Sequence, residues 1–273
     1  MDYGGILLIL QIFKKPMQYD NGRWGWLTSI PPVTRNLLII NVLLWVVEFF
    51  FHSFSNTLIN RLGLHLIGES LFNPIQLVTY MFLHAPGTIW HMAFNMFTLW
   101  MFGPILERTW GSKRFLIFYF VCGIGAALIQ EGVWALTWEH DYVAAIAPQN
   151  GMTYDGMRAV VDNALAHGDA GFLAATASFR NHLVTIGASG AIFGLLLGFA
   201  FVFPDMPLYI FFIPIPVKAK YMVIGYAVIE FFLGVGGRLD TVAHFAHLGG
   251  MIFGLVLLLY WKKKGTLHGP GFH

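Results

Sequence analysis

Six long apolar runs mark the chain, at roughly 36–52, 89–106, 115–134, 184–203, 219–235 and 242–261. Each is near the length of about 20 residues that a helix needs to cross a hydrocarbon core. The pattern therefore predicts an all-α membrane protein of six spanning helices. Two of the connections between them are long. The first, about 53–88, mixes Leu62, Leu64, Leu66, Ile67, Leu71, Phe72, Ile75, Leu77 and Val78 with Pro74 and Pro86. That composition predicts short helices lying in the outer interface. The second, about 135–183, places Met157, Val160, Val161, Ala164 and Leu165 at helical spacing, followed by Gly168 and Gly171. It predicts one short amphipathic helix outside the membrane. Near the start, Gly4 to Phe13 is apolar but short, and Lys14 and Lys15 follow it rather than precede it. This order argues against a signal peptide and predicts an interfacial helix on the cytoplasmic face.

Composition sharpens this reading. Apolar residues make up 57% of the chain and charged residues 11%, with a mean hydropathy of +0.65. Soluble domains run near a quarter charged, so these residues cannot cover a water-facing surface in the usual way. The single cysteine, Cys122, excludes a disulfide framework and a cysteine metal site. A net charge of +2 conceals an uneven distribution. Lys14, Lys15, Arg23 and Arg35 precede the first span; Arg108, Lys113 and Arg114 lie between spans two and three; Lys218 and Lys220 between four and five; Lys262 to Lys264 after six. The stretch from Glu131 to Arg180 instead carries Glu131, Glu139, Asp141, Asp155, Asp162 and Asp169 against Arg158 and Arg180. By the positive-inside rule both termini are cytoplasmic and the acidic stretch is outside. The expected organisation is a cytoplasmic segment at 1–35, a six-helix domain at 36–262 with an outer insertion at about 135–183, and a cytoplasmic tail at 263–273.

Chemistry concentrates at the outer ends of three spans. The fourth opens Gly187-Ala188-Ser189-Gly190, and the sixth opens Ala243-His244-Phe245-Ala246-His247-Leu248-Gly249-Gly250. Serine in a spanning helix is ordinarily a packing residue, whereas an ionisable group there points to function by default. Both spans run inward, and Ser189 and His247 each lie about five residues in, roughly 8 Å at 1.5 Å per residue. They share one level near the outer face. A serine hydroxyl needs a base within about 3 Å to become a nucleophile. Helices approach that closely only across small residues, such as Gly190, Gly194 and Gly198 on span four and Ala246, Gly250 and Gly254 on span six. On span two, His91 and Asn95 are four apart, hence on one face, and both can donate toward an oxyanion. His244 is a rival base. Glu48 and Glu230 lie in spans without an evident partner, although a buried carboxylate demands one. No H-E-x-x-H, no phosphate-binding glycine loop and no intramembrane Asp pair is present, so neither metal nor cofactor is expected.

The chain resembles the rhomboid family of intramembrane serine proteases. The matching pieces are Gly187-Ala188-Ser189-Gly190, Ala246-His247-Leu248-Gly249-Gly250 with Gly254, His91 to Asn95 preceded by Thr79 to His84, Glu107-Arg108 before Gly111, and Pro214 to Tyr221. The resemblance implies a rhomboid-like six-helix bundle with a Ser189–His247 dyad and no acidic third member. It also implies an oxyanion hole from His91, Asn95 and the Ser189 amide, support from Gly187 and Phe193, and a fifth span that gates entry of a substrate's transmembrane segment. Where the family often has a tyrosine that stacks on the histidine, this chain has Phe193, which can stack but cannot donate a hydrogen bond. The Ala-His-x-x-Gly pattern falls on His247, which assigns His244 to structure or to a water network at the cap. The implied substrates are transmembrane proteins, not nucleic acid, and the implied location is a bacterial inner membrane with the site opening outward. A proton-relaying transporter or channel, built on Glu48, Glu230 and His247, is the competing reading, and a non-catalytic relative is a third. Oligomeric state and substrate identity are not legible.

Overall fold

The computed structural model describes residues 29–85, 89–209, 216–236 and 241–267. The expected interfacial helix near the N-terminus, most of the 1–35 segment, Pro86, Pro214 and the tail beyond 267 lie outside the described residues. The molecule is mostly helical. In chain order the helices are α1 (Pro32–Phe50), α2 (His52–Leu62), the single turn α3 (Gln76–Thr79), α4 (Ile89–Trp110), α5 (Ser112–Ile146), α6 (Tyr154–Ala166), α7 (Ala170–His182), α8 (Ser189–Val202), α9 (Ala219–Val235) and α10 (Thr241–Lys263). Two small antiparallel ribbons complete it. β1 (Leu64–His65) pairs with β2 (Val184–Thr185), and β3 (Pro207–Tyr209) pairs with β4 (Pro216–Lys218).

Among the described residues, three helical segments are long and apolar enough to cross a membrane: Pro32–Phe50, Ser112–Asn150 and Ala243–Lys263. Of the other helices at the predicted spans, α4 has 22 residues, α8 14 and α9 17, and all three pack into the same bundle. The bundle's outside is apolar: Leu43, Trp100, Ile224, Phe232 and Val256 are all at least half exposed. An apolar exterior of this extent suits lipid and would be a liability in water. The protein is an integral membrane protein.

α5 is the central post, packed against α10, α8, α4 and α1. The core it organises holds Leu99 and Leu106 of α4, Phe115, Phe118 and Tyr119 of α5, Leu195 of α8 and Leu258 of α10. α4, α8 and α10 run parallel. Their starts meet around Ser189, and near their ends Trp110 packs edge-on against Trp261 at 6.0 Å between ring centroids. The small-residue stripes serve more than the expected α8–α10 contact. Gly190 does face Gly250, but a Cβ at Gly194 would lie 2.3 Å from Cys122 Sγ on α5, and one at Gly198 would press on Phe118 and Trp110. The stripes let three helices converge, not two.

Helix ends are satisfied by distant groups. α1 starts at Pro32 with no capping side chain of its own. Glu107 of α4 supplies the acceptor, taking bonds from Val33 N at 3.0 Å, Thr34 N at 2.7 Å and Thr34 Oγ1 at 2.7 Å. The first turn of a helix leaves such donors free, and a carboxylate at the positive end of the dipole is a favourable partner.

The two long connections form one structure over the end of the bundle that holds Ser189. In the first, Tyr80, Met81 and Leu83 are fully buried, Tyr80 Oη donates to Gly123 O at 2.7 Å, and Ile67 N donates to Glu131 of α5 at 2.7 Å. The second departs from expectation. Helix α5 continues past 134 to Ile146, about 52 Å in all at 1.5 Å per residue, and two helices follow it instead of one. Tyr142, Val143 and Ala147 pack with Met157 and Val161 in a separate small cluster, which is what keeps the polar end of α5 helical. Arg180 of α7 pairs with Glu69 and lies over the Trp138 ring at 4.6 Å. With the β1–β2 pairing, this fastens the insertion to the first connection and delivers the chain to Ser189.

Candidate active site

Ser189 begins α8, and the residue two before it sets its position. Gly187 has φ +132, and a Cβ there would meet His91 Cε1 at 3.1 Å; its N–H donates to Tyr80 O at 2.9 Å. A side chain would be strained in that conformation and would press on the His91 ring. The chain therefore turns sharply at Gly187 and presents Ser189 at the helix start, close to His91. Two turns into α10, His247 brings Nε2 within 2.9 Å of Ser189 Oγ. That distance is within reach for proton transfer. The Phe193 ring, one turn along α8, stacks flat on His247, 4.2 Å between centroids and 7° between planes. Tyr226 of α9 meets the Phe193 ring at 68° and 6.4 Å. The stack fixes the plane of the imidazole.

The close approach depends on missing side chains. A Cβ at Gly250, one turn after His247, would fall 1.9 Å from the Gly190 carbonyl oxygen. Backbone therefore touches backbone directly beside the serine–histidine pair.

His91 stands beside this pair, and Asn95 one turn further along α4 is buried. Asn95 Nδ2 faces His84 Nε2 at 3.3 Å, and the His84 and His91 rings meet edge to face at 5.6 Å. The Asn95 amide thus already has a partner. His84 N in turn donates to Glu48 Oε2 at 3.0 Å, which supplies the partner that Glu48 lacks in the sequence. Burial, with help from His91, pushes the His84 imidazole down to about 4, so it is neutral at ordinary pH. Its signal in the sequence was its place in the Thr79 to His84 segment, without a role.

The other carboxylate that the sequence leaves without a partner is Glu230 of α9. Its Oε2 lies 3.0 Å from His247 Nδ1 and 2.6 Å from His244 Nδ1. The resemblance implies a serine–histidine pair with no acidic third member; the structure places a carboxylate within hydrogen-bond reach of the histidine's other ring nitrogen. His244 is not a second base beside Ser189; it bonds the same carboxylate. The three ligand-type atoms lie within 4.8 Å of one another, a spacing that a divalent ion could bridge, and here hydrogen bonds join them. A separate apolar cavity of about 550 Å³ opens between α4, α8 and α9, lined among others by Phe97, Met101, Phe199, Met206 and Tyr226. Ser189, His247 and Glu230 do not line it, so it lies further along the bundle.

Fold and site together define a helical membrane protein in which Glu230, His244 and His91 surround one serine–histidine contact at one end of the bundle. The sequence pattern of the rhomboid domain matches residues 72–137 and 163–264, and the unmatched stretch between them falls within the insertion. The chain belongs to the rhomboid family. It is similar to rhomboid protease AarA of Providencia stuartii, 34% identical over 104 residues, which cover 35% of each chain. It is also similar to the mitochondrial rhomboid protein 1 of Saccharomyces cerevisiae, 25% identical over 174 residues, covering 64% of this chain and 38% of the yeast protein. The matched regions therefore span little more than a third of the length of either relative.

Proposed function

We propose that this chain is an intramembrane serine endopeptidase that hydrolyses peptide bonds in or near the transmembrane segments of membrane proteins. The observation that carries the reading is the 2.9 Å contact between His247 Nε2 and Ser189 Oγ, held at the start of three parallel helices. In the reaction, His247 Nε2 takes the Ser189 hydroxyl proton as Oγ attacks the scissile carbonyl carbon. The carbonyl π pair moves onto oxygen, where His91, Asn95 and the Ser189 amide are the nearby donors. Asn95 Nδ2 carries two N–H groups, so one can face His84 while the other serves the oxyanion. His247 then returns the proton to the departing amide nitrogen, the C–N bond breaks, and water releases the acyl group by the same steps in reverse order.

The membrane arrangement belongs to the same proposal. Helices α1, α4, α5, α8, α9 and α10 each cross the bilayer, with both termini cytoplasmic. Lys and Arg placement supports this orientation, which opens the site outward from a bacterial inner membrane. The 14-residue α8 reaches only about 21 Å, and the buried connections around Ser189 make up the rest of the thickness. Among the described residues no direct side-chain hydrogen bond joins the Glu48–His84–Asn95 group to the Glu230–His244–His247 group that the transporter reading would draw on.

The test is cleavage of a model transmembrane substrate in proteoliposomes, with labelling by a serine-reactive fluorophosphonate. Ser189→Ala and His247→Ala should each abolish cleavage in folded, inserted protein. The double variant should be scarcely worse than either single one, because nucleophile and base act as a unit. Continued cleavage by Ser189→Ala would exclude this function.

A further inference from the structure

The carboxylate behind His247 occupies the place of a third catalytic-unit member. We propose that Glu230 is a positioning residue for the base, so that the unit is Ser189–His247–Glu230 with the acid supplied by a separate helix, α9. This rests on the protease reading above, and it departs from the two-residue arrangement that the family resemblance implies.

The geometry leaves His247 few choices. Its ring is flanked by Ser189 from α8, Glu230 from α9, His244 from its own helix and the Phe193 face, with His91 of α4 within electrostatic reach. Stacking on Phe193 fixes the ring plane, but not which nitrogen carries the proton. A carboxylate oxygen accepts hydrogen bonds, so the 3.0 Å contact to Glu230 Oε2 requires the proton on Nδ1. Nε2 then keeps its lone pair and faces the Ser189 hydroxyl. With the proton on Nε2, the ring could only donate to Ser189 and could not act as its base. When the serine proton arrives, His247 becomes an imidazolium, and the adjacent carboxylate opposes its charge without itself taking a proton.

A bland account exists for Glu230. A carboxylate in a helix bundle needs donors, and His244 Nδ1 at 2.6 Å is already one. On that account His247 is a bystander to a structural pair. Yet Oε2 accepts from both rings, and its own exposure is low, with the Glu230 side chain 13% exposed. His244 thus anchors the oxygen that His247 uses. Since α9 carries the acid while α8 and α10 carry serine and histidine, a lateral shift of α9 would separate the acid from the base without disturbing the serine–histidine contact.

Two measurements on the purified full-length protein, in EDTA throughout so that no ion bridges Glu230, His244 and His247, decide the matter. The first is NMR of ¹⁵N-histidine-labelled protein, with His247 assigned through loss of its signals in His247→Gln. The expected result is Nδ1 protonated and far downfield in its proton shift, Nε2 bare, and an upfield move of that proton in Glu230→Gln, whose neutral amide is a weaker acceptor. The second is turnover in proteoliposomes. Glu230→Gln is nearly isosteric and should fold. Its kcat should fall at least about tenfold, with KM and melting temperature unchanged. A wild-type His247 protonated on Nε2, or a Glu230→Gln protein with unaltered kcat, overturns the proposal. A loss that appears only as less folded protein also overturns it, leaving Glu230 a structural residue. The NMR result stands apart from proteolysis: a wild-type chain with the expected tautomer that cleaves no substrate would refute the protease reading and not the pairing.

Discussion

Substituting Gly250 by alanine should cripple the site from outside it. The Cβ would be placed 1.9 Å from the Gly190 carbonyl oxygen, whereas real Cβ contacts are essentially never under 3.0 Å. Both atoms in conflict are held by helix backbone, so no side chain can swing aside. Helices α8 and α10 must therefore part by about 1.1 Å or more, since close-packed interiors transmit strain and have no slack to absorb it. His247 is one turn from Gly250, and Ser189 adjoins Gly190. The displacement therefore falls on their 2.9 Å contact and stretches it toward 4 Å, past the reach of a hydrogen bond. Misplacement of catalytic groups by about 1 Å can cost roughly 10² in rate, and overpacking typically costs about 1–3 kcal/mol of stability. Gly250→Ala should accordingly lose about a hundredfold in kcat in molecules that remain folded, together with a measurable drop in melting temperature. Gly132→Ala and Gly225→Ala are the controls, because a Cβ at either meets nothing within 4 Å; both should match the wild type. The assay is turnover in proteoliposomes normalised to folded protein, beside thermal unfolding in detergent. Wild-type kcat and melting temperature in Gly250→Ala would show that the backbone contact between α8 and α10 does not set the serine–histidine distance.

Three further outcomes follow from the same structure. Glu107→Ala strips the acceptor from Val33 N, Thr34 N and Thr34 Oγ1 and should destabilise the protein by about 2–4 kcal/mol; unchanged resistance to SDS unfolding would refute this capping role. Asn95→Ala should lower turnover per folded molecule about tenfold to a hundredfold if its amide reaches the oxyanion, whereas lost stability with unchanged turnover would confine Asn95 to its contact with His84. Cysteines placed at Asp155 and Asp169 should react with an impermeant maleimide on intact cells, and since Cys122 is buried the natural background is silent; labelling only after permeabilisation would reverse the topology.

What the sequence determined by itself was set by local chemistry. Apolar runs of bilayer length identify a membrane protein because lipid tolerates little else. Ser189 and His247 could be placed at one level because both helices run the same way and rise per residue is constant. The stacking of Phe193 on His247 was implied by the family resemblance at that position and is found in the structure. What the tertiary structure decided was how the helices are rotated and where the loops return. Glu230 is 17 residues from His247, and only the rotation of α9 about its own axis turns the carboxylate toward that ring. Glu48 and His84 meet across 36 residues because the first long connection folds back over the bundle. The stretch 135–146, with Glu139, His140 and Asp141, has the composition of a loop, yet it is helix because Tyr142 and Val143 find Met157 and Val161 to pack against. Glycine spacing announced a close helix contact, but not that α5 would press into the same seam through Cys122. Spacing along a chain encodes faces and depths; which face meets which is settled by packing all the helices at once.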